Sequence, residues 1–189
     1  LKKKYYENRE DFARVFDESI NIISQEVEGM KDLLNEFLRF SRMPTPDPQP
    51  ISLHKIIDDI LISYSEHKKN IQIKKNFDPN LAHLTIDPEQ IRRVLINLFE
   101  NATDAIDEGG VIQITTKILE GKKWDRIEFS DNGAGISSSD REKLFLPHFT
   151  TKKRGTGLGL AIVNRIIIDH NGTIKVQDNY PKGTTFIID

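Results

Sequence analysis

The chain has 189 residues, enough for one large domain or two small ones, and its 27 Lys and Arg against 29 Asp and Glu give a net charge of -2. This balance creates no global field that would favour nucleic acid or an anionic membrane as a partner. The absence of cysteine excludes disulfides, thiolate zinc sites, iron–sulfur clusters and a cysteine nucleophile. No uncharged apolar run approaches the roughly 18 residues that a membrane span needs. Because residue 1 is leucine, we expect the natural N-terminus to lie further upstream.

The first predicted element is a long amphipathic helix. Its apolar residues recur at alternating steps of three and four, as on a helix that packs along a partner helix. They are Phe16, Ile20, Ile23, Val27, Met30, Leu34 and Phe37. A second apolar stripe beside them favours a bundle of more than two helices. We interpret residues 1–6 as the end of an earlier helix and residues 7–10 as a bend, so residues 1–43 are predicted to be a partial helical hairpin.

A proline-rich segment follows this helix. Four prolines within residues 44–50 forbid a helix and predict an extended linker. A domain boundary here favours a separate helical module over the alternative of a helix docked on its own domain.

Helical and alternating periods mix in the rest of the chain, residues 51–189. Helices are predicted over residues 53–67, 87–107 and 157–170, and strands over residues 71–77, 84–86, 111–119, 126–131, 173–176 and 184–188. This mixture predicts an α+β fold, a sandwich of one sheet and one layer of helices.

A polar stripe runs beside the apolar face of the predicted helix at residues 87–107. It consists of Asn97, Asn101 and Asp104. Two asparagines one turn apart can hold a hydrated divalent cation, because Mg²⁺ takes few protein oxygens and keeps its waters for phosphate. For the two asparagines alone, the simpler explanation is that Asn97 caps the helix or bridges to a neighbouring strand.

An aspartate, Asp131, stands at the end of a predicted strand and is followed by Asn-Gly-Ala-Gly. Such an aspartate can accept a hydrogen bond from an amine, while Gly133 and Gly135 would let a ring lie against bare backbone. The same residues also form an ordinary turn. In isolation the turn is the simpler interpretation.

A glycine-rich segment opens the last predicted helix. Its residues are Gly155, Thr156, Gly157, Leu158 and Gly159. Backbone N–H groups at a helix N-terminus favour phosphate, but neither a βαβ dinucleotide unit nor a GxxxxGK[ST] loop is present. Three cations directly before it, at residues 152–154, are a solvated run in the simpler interpretation. They would also suit a mobile lid over a triphosphate.

Taken together and in this order, these segments resemble the conserved boxes of a bacterial sensor histidine kinase. The similar segments are residues 97–105 (N box), 131–135 (first glycine box), 145–149 (F box), 155–160 (second glycine box) and 183–186 (final glycine box). The end of the first helix, residues 37–44, is most similar to nitrogen-regulation (NtrY-like) sensor kinases. The resemblance implies a Bergerat-type ATP-binding domain of the GHKL superfamily over residues 51–189 and a truncated dimerisation and phosphotransfer hairpin over residues 1–43.

The resemblance also implies a role for each matched position. Asp131 would accept the adenine amine, with Gly135 and Thr184 lining the base. Asn101 would hold Mg²⁺ against the phosphates with Asn97 beside it, and Lys152 and Arg154 would reach the γ-phosphate. Asp104 stands where the family commonly has lysine and could instead reach metal-bound water. The other implied nucleotide-binding residues are Gly133, Gly155, Thr156, Gly157, Leu158 and Gly159, while Phe145 and Phe149 would pack the lid.

The nucleophile of this family is a histidine in a box with an acidic residue and a proline, on the first helix of the hairpin. The five histidines of the chain are His54, His67, His83, His148 and His170, and none lies in such a box. We therefore expect the acceptor upstream of residue 1, and expect this chain to bind ATP without phosphorylating itself.

The function implied is that of a protein-histidine kinase, which transfers the γ-phosphoryl group of Mg-ATP to a histidine of the dimerisation domain for relay to a response-regulator aspartate. A homodimer in the full-length protein and a cytoplasmic location are implied too, with a membrane reached only through upstream segments and no nucleic acid as partner. The alternatives are a non-catalytic nucleotide-sensing or dimerisation module and a GHKL-type ATPase, which would carry glutamate in place of Asn97 to activate water.

Overall fold

The computed structural model describes residues 9–41, 43–65, 71–81, 83–107, 109–119, 125–152 and 155–189. The chain divides into two compact units, Leu1–Met43 and Pro44–Asp189. The predictions for residues 1–8 and for Arg154 lie outside the described residues.

The first unit contains one long helix, α1 (Arg9–Ser41). The predicted helix is confirmed, but the predicted bend is wrong at residues 9 and 10, which are already helical. Six heptad side chains are exposed: Phe16, Ile20, Ile23, Val27, Met30 and Leu34. A single helix cannot bury its own apolar stripe, so this face has the character of a helix-packing surface.

The second unit combines helices with two sheets. Its strands are β1 (Gln49–Ile51), β2 (Gln72–Asn76), β3 (Leu84–Ile86), β4 (Val111–Ile118), β5 (Asp125–Asp131), β6 (Ile174–Asp178) and β7 (Thr184–Ile188). Its helices are α2 (Leu53–Ser65), α3 (Pro88–Ala105), α4 (Ser138–Arg141) and α5 (Gly159–Asp169). A mixed five-stranded sheet has the order β2-β4-β5-β7-β6, in which only β2 and β4 pair in parallel. The predicted α+β fold is therefore confirmed.

The core lies between the sheet and the helices. Ile112 and Ile114 of β4 are fully buried while Gln113 between them is exposed, as the alternation of a strand with one covered face requires. Phe99 of α3 meets Phe129 of β5 edge to face, with ring centroids 4.8 Å apart. This contact fixes α3 against the strand that ends in Asp131.

The proline-rich segment is extended, as its composition predicts, but it packs within the second unit. β1 pairs antiparallel with β3 in a two-stranded ribbon. The Asp47 backbone N–H donates to Oδ2 of Asp87 at 3.0 Å, and Nε2 of Gln90 donates to the Pro44 carbonyl at 3.1 Å. Proline is tolerated in β1 because an edge strand leaves one row of amides unpaired.

The described helices include none that is both long enough and apolar enough to cross a membrane.

Candidate functional site

Asp131 is a buried carboxylate at the end of β5, with 3% of its surface exposed. Its Oδ1 accepts the backbone N–H groups of Gly133, at 2.8 Å, and of Thr184, at 3.3 Å. Among the described residues, its Oδ2 accepts no hydrogen bond. Burial raises the pKa of Asp131, and the two N–H donors oppose this shift. A carboxylate oxygen without a protein donor is suited to accept a hydrogen bond from a ligand amine.

Glycines form the backbone around this carboxylate. A Cβ on Gly133 would lie 2.6 Å from the carbonyl oxygen of Ala105, and the next residue, Ala134, donates its N–H to that oxygen at 2.9 Å. Gly183 has a φ of +119°, and a Cβ there would lie 1.9 Å from the Asp131 carbonyl oxygen. The backbone therefore approaches Asp131 more closely than any side chain would allow.

One contributor to this region, Asn179, was not predicted from the sequence. Its Nδ2 donates to the Asp131 carbonyl at 2.8 Å, and its backbone N–H donates to the Gly183 carbonyl at 3.1 Å. An asparagine two residues before a proline signals a turn and nothing more, so the sequence could not show that it supports Asp131.

Helix α3 carries the predicted polar stripe, and its start is set by Asp87. Oδ1 of Asp87 accepts the N–H groups of Glu89 and Gln90, both at 3.0 Å, and Pro88 occupies the first helical position. Because the cap itself is not helical, the helix begins one residue later than predicted.

Asn97 bridges within α3 and contacts the start of α5. Its Nδ2 donates to the Arg93 carbonyl at 2.8 Å, and a Cβ on Gly159 would lie 2.6 Å from its Oδ1. Glycine at position 159 is therefore needed for α5 to begin beside Asn97. The Nδ2 contact therefore lies within α3 and not with a neighbouring strand, as the simpler interpretation supposed, while Oδ1 faces the N-terminus of α5.

Asn101 and Asp104 meet Lys152 near the C-terminal end of α3. Nζ of Lys152 donates to Oδ1 of Asn101 at 2.8 Å and to Oδ2 of Asp104 at 2.9 Å. The Lys152 and Asp104 side chains keep 43% and 48% of their surface exposed, so solvent screens the pair. Two oxygens thus converge on one positive charge.

The glycine-rich segment before α5 turns sharply. Gly157 has a φ of +69°, and a Cβ on it would lie 2.5 Å from the carbonyl carbon of His148. The Thr156 hydroxyl accepts the Leu158 N–H at 3.4 Å, and Leu158, fully buried, starts the helical hydrogen bonds through Ile162. The helix therefore begins after the predicted residue 157, because the positive φ there does not fit a helix.

The described elements bring the predicted residues into two neighbouring groups. Asp131, Gly133, Gly135 and Thr184 lie together where β5 ends and β7 begins, and a Cβ on Gly135 would contact the Gly183 carbonyl at 3.5 Å. Asn97, Asn101, Asp104, Lys152 and Gly159 lie along α3. Gly133 touches Ala105, the residue after Asp104, and so joins the two groups. Phe145 and Phe149 are half-buried.

The protein ligands of a cation at this site would be side-chain amide oxygens and the carboxylate of one aspartate. Within the described residues, no cluster of three or more His, Cys, Asp or Glu could hold a metal ion. Oδ1 of Asn101 and Oδ2 of Asp104 both face the Lys152 ammonium, so these two oxygens can face one cation together. These residues fit a magnesium ion that keeps most of its waters.

Comparison with known proteins decides the family. Residues 86–189, more than half of the chain, match the family model described as "Histidine kinase-, DNA gyrase B-, and HSP90-like ATPase". The chain belongs to this family. The match covers α3, Asp131, the glycine-rich segment and Thr184, which are the parts that form the candidate site.

Individual relatives are named as a sensor histidine kinase and as a sporulation kinase. The chain is 31% identical over 187 residues to sensor histidine kinase ZraS of Escherichia coli K12. The aligned region covers 98% of this chain and 40% of ZraS. It is 30% identical to sporulation kinase E of Bacillus subtilis, over 94% of this chain and 24% of that protein. The chain thus spans less than half of the length of these relatives.

Solved structures of histidine kinases are also similar to this chain. The catalytic domain of histidine kinase ThkA matches with a TM-score of 0.68 and 34% identity, over 75% of this chain and 93% of that one. A second structure, ThkA in complex with response regulator protein TrrA, matches with a TM-score of 0.73 and 30% identity, over 92% of this chain and 50% of that one. The family assignment and the sensor histidine kinase type of the catalytic domain, as predicted, are confirmed. The nitrogen-regulation subgroup stays a prediction.

Proposed function

We propose that residues 51–189 bind Mg-ATP and transfer its γ-phosphoryl group to a histidine of a dimerisation hairpin, for relay to an aspartate of a response regulator. The observation that carries this proposal is the buried Asp131, whose Oδ2 has no donor among the described residues and whose close backbone neighbours include Gly133 and Gly183.

The base would be recognised at Asp131. Oδ1 is held by two backbone N–H groups, so the carboxylate cannot rotate freely and Oδ2 is left for the exocyclic amine of adenine. Gly133, Gly135 and Thr184 would line the ring, because the missing side chains leave room for a flat ligand. A purine with a carbonyl in place of this amine would set oxygen against oxygen and bind more weakly.

The phosphates would lie between α3 and the N-terminus of α5. Asn101 would hold Mg²⁺, with Asn97 beside it and Asp104 reaching a metal-bound water. The ion supplies charge neutralisation of the phosphate oxygens. Lys152 and Arg154 would contact the γ-phosphate, and the backbone from Gly155 through Thr156, Gly157 and Leu158 to Gly159 would cradle the phosphates, as N–H groups at a helix N-terminus do.

The chemical step that these residues serve is a phosphoryl transfer. A ring nitrogen of the acceptor histidine attacks the γ-phosphorus, the bond to the β,γ-bridging oxygen breaks, and ADP leaves. The protein contributes positioning and electrostatic stabilisation, since such transfers require little covalent chemistry from it.

Partners follow from the same proposal. ThkA has been crystallised with the response regulator protein TrrA. We extend this kind of partner, a receiver domain, to the present chain, together with a homodimer through the hairpin of which α1 would be a part. The exposed apolar stripe of α1 supports the second point. The proposal locates the domain in the cytoplasm, as the kinase part of an inner-membrane sensor.

An ATP-hydrolysing function is the second candidate within this family, and Asn97 disfavours it. An amide cannot take a proton from water as a glutamate could, and its Nδ2 already donates to the Arg93 carbonyl. Steady hydrolysis of Mg-ATP by the chain alone should therefore be slow.

The test is phosphoryl transfer to an added hairpin. The chain is incubated with ATP radiolabelled at the γ-phosphate and with a separate helical hairpin that bears a histidine in the His-acidic-x-x-x-Pro box. We expect label on that hairpin, stable to alkali and lost in acid as for phosphohistidine, and a loss of labelling with Asp131→Asn but not with the exposed control Asp107→Asn. Rapid release of inorganic phosphate without labelled hairpin would contradict the proposal and favour the ATPase.

A further inference from the structure

We propose that Lys152 latches the turn at residues 150–152 onto helix α3 when no nucleotide is bound, and that Asp104 is the residue that makes this latch. The ammonium of Lys152 occupies the point on which Asn101 and Asp104 converge. The part of the proposal that concerns what releases the latch rests on the proposed function.

On the helix side, the latch is built from the last turn of α3. Asn101 and Asp104 are three residues apart and so lie on one face of the helix. Their oxygens reach Nζ of Lys152 at 2.8 and 2.9 Å. The C-terminal end of a helix carries partial negative charge and favours a nearby cation. A carboxylate in that turn is unfavourable without a counter-charge, and Lys152 provides one.

On the other side, the backbone of Lys152 belongs to a hydrogen-bonded turn. Its N–H donates to the Thr150 hydroxyl at 3.1 Å, and its carbonyl accepts the Gly155 N–H at 3.3 Å. A Cβ on Gly155 would lie 2.4 Å from that same hydroxyl oxygen, so the turn is compact. Because Lys152 is part of this compact turn, its side-chain contact with α3 holds the whole turn at residues 150–152 in place.

The latch and a metal ion compete for the same oxygen. Oδ1 of Asn101 accepts from the Lys152 ammonium, and the proposal gives that oxygen to Mg²⁺. Two cations at one amide oxygen repel each other. Binding of Mg-ATP would therefore release Lys152 from α3. The released ammonium would then contact the γ-phosphate, as the proposed function requires.

Asp104 determines the strength of this competition. The substitution Asp104→Asn removes the charge and keeps the size of the side chain. It should weaken the contact of Lys152 with α3 while Asn101 is unchanged. The pair is about half exposed, so we expect the equilibrium constant between the latched and the released state to change by about two- to fivefold. The matched control is Asp107→Asn, which removes the same charge from an exposed position just beyond α3.

The first measurement needs no nucleotide. Trypsin must take the free lysine side chain into its specificity pocket, so an engaged Lys152 is a poor site. Cleavage after Lys152 is followed by mass spectrometry in the full chain. We expect Asp104→Asn to accelerate cleavage about two- to fivefold and Asp107→Asn to leave the rate unchanged. Equal rates for the parent chain and Asp104→Asn would overturn the latch.

The second measurement tests the competition. Calorimetric titration with Mg-ATP should show about two- to fivefold tighter binding by Asp104→Asn than by the parent chain. Weaker binding would mean that Asp104 stabilises bound Mg²⁺ more than it stabilises the contact with Lys152. That result would overturn the proposed competition between Lys152 and Mg-ATP. If the parent chain does not bind Mg-ATP at all, the proposed function fails, while the cleavage rates still decide whether the latch exists.

Discussion

Asp131, the last residue of β5, accepts the backbone N–H of Thr184, the first residue of β7, on its carboxylate oxygen Oδ1. The ladder between these strands runs as far as the pair Ser130 and Thr185. The side chain of Asp131 therefore takes over where the backbone pairing of the two strands stops. An acid that would be costly to bury is held by the N–H groups of its own sheet edge, and one of its oxygens remains for a ligand.

Replacing Gly133 by alanine should damage the site. Its Cβ would lie 2.6 Å from the Ala105 carbonyl oxygen, which is backbone of α3 and cannot rotate away. We expect unfolding to become easier by about 1–3 kcal/mol and Mg-ATP binding to weaken about tenfold or more. Urea unfolding and calorimetry measure the two effects.

The control for this substitution is Gly29→Ala in α1, where the described residues place no atom within 4 Å of the added Cβ apart from the adjacent backbone of the helix itself. Nucleotide affinity should not change, because the substitution is not in the second unit. If Gly133→Ala bound Mg-ATP as tightly as this control, the glycine-lined site would be wrong.

Asp87 should be important for stability although it lies outside the nucleotide site. Burial raises its pKa, but hydrogen bonds from the Asp47, Gln90 and Glu89 N–H groups outweigh this, and the net pKa lies below the ordinary value. We expect Asp87→Ala to cost about 1–2 kcal/mol in the free energy of unfolding. Asp87→Asn should cost less, because its side-chain oxygen can still cap α3. Equal losses in urea unfolding would show that the cap is not the cause.

His54 should make stability depend on pH. Its ring stacks on Phe77 at 4.3 Å between centroids, and Nε2 lies 2.9 Å from the Thr116 hydroxyl. Burial lowers the pKa of His54 below the ordinary 6.5, against the opposing charges of Asp58 and Asp78.

The direction of the effect follows from this shift. The unfolded chain takes up a proton at His54 more readily than the folded one, so stability is complete above the unfolded pKa and falls as the pH drops towards the folded pKa. Urea unfolding at about pH 7.5 and about pH 5.5 should show a smaller loss for His54→Gln than for the parent chain. An identical loss in both would remove His54 as the cause, and an NMR titration of its ring gives the pKa directly.

Local features of the fold could be read from the sequence. The start of α3 follows from an aspartate before a proline, and the buried face of β4 follows from the alternation around Ile112 and Ile114. The position of Asp131 at a strand end is also local. In each case the cause lies within a few residues of the effect.

Contacts between distant residues could not be predicted this way. That β2 pairs in parallel with β4, that the segment before β1 lies against Asp87, and that Lys152 meets Asp104 all depend on the folded arrangement. The requirement for glycine at position 183 is of this kind too, since it comes from the backbone of Asp131. The residues of the site could be predicted as candidates, but their partners could not.

The most direct test of the account is a calorimetric comparison of Mg-ATP with the magnesium complex of inosine triphosphate, which carries a carbonyl where adenine has its amine. We predict that the parent chain and Asp107→Asn prefer ATP by about tenfold or more. Asp131→Asn should lose most of both the affinity for ATP and this preference. Absence of ATP binding by the parent chain, or an Asp131→Asn variant that binds and discriminates as the parent does, would contradict an adenine site at Asp131.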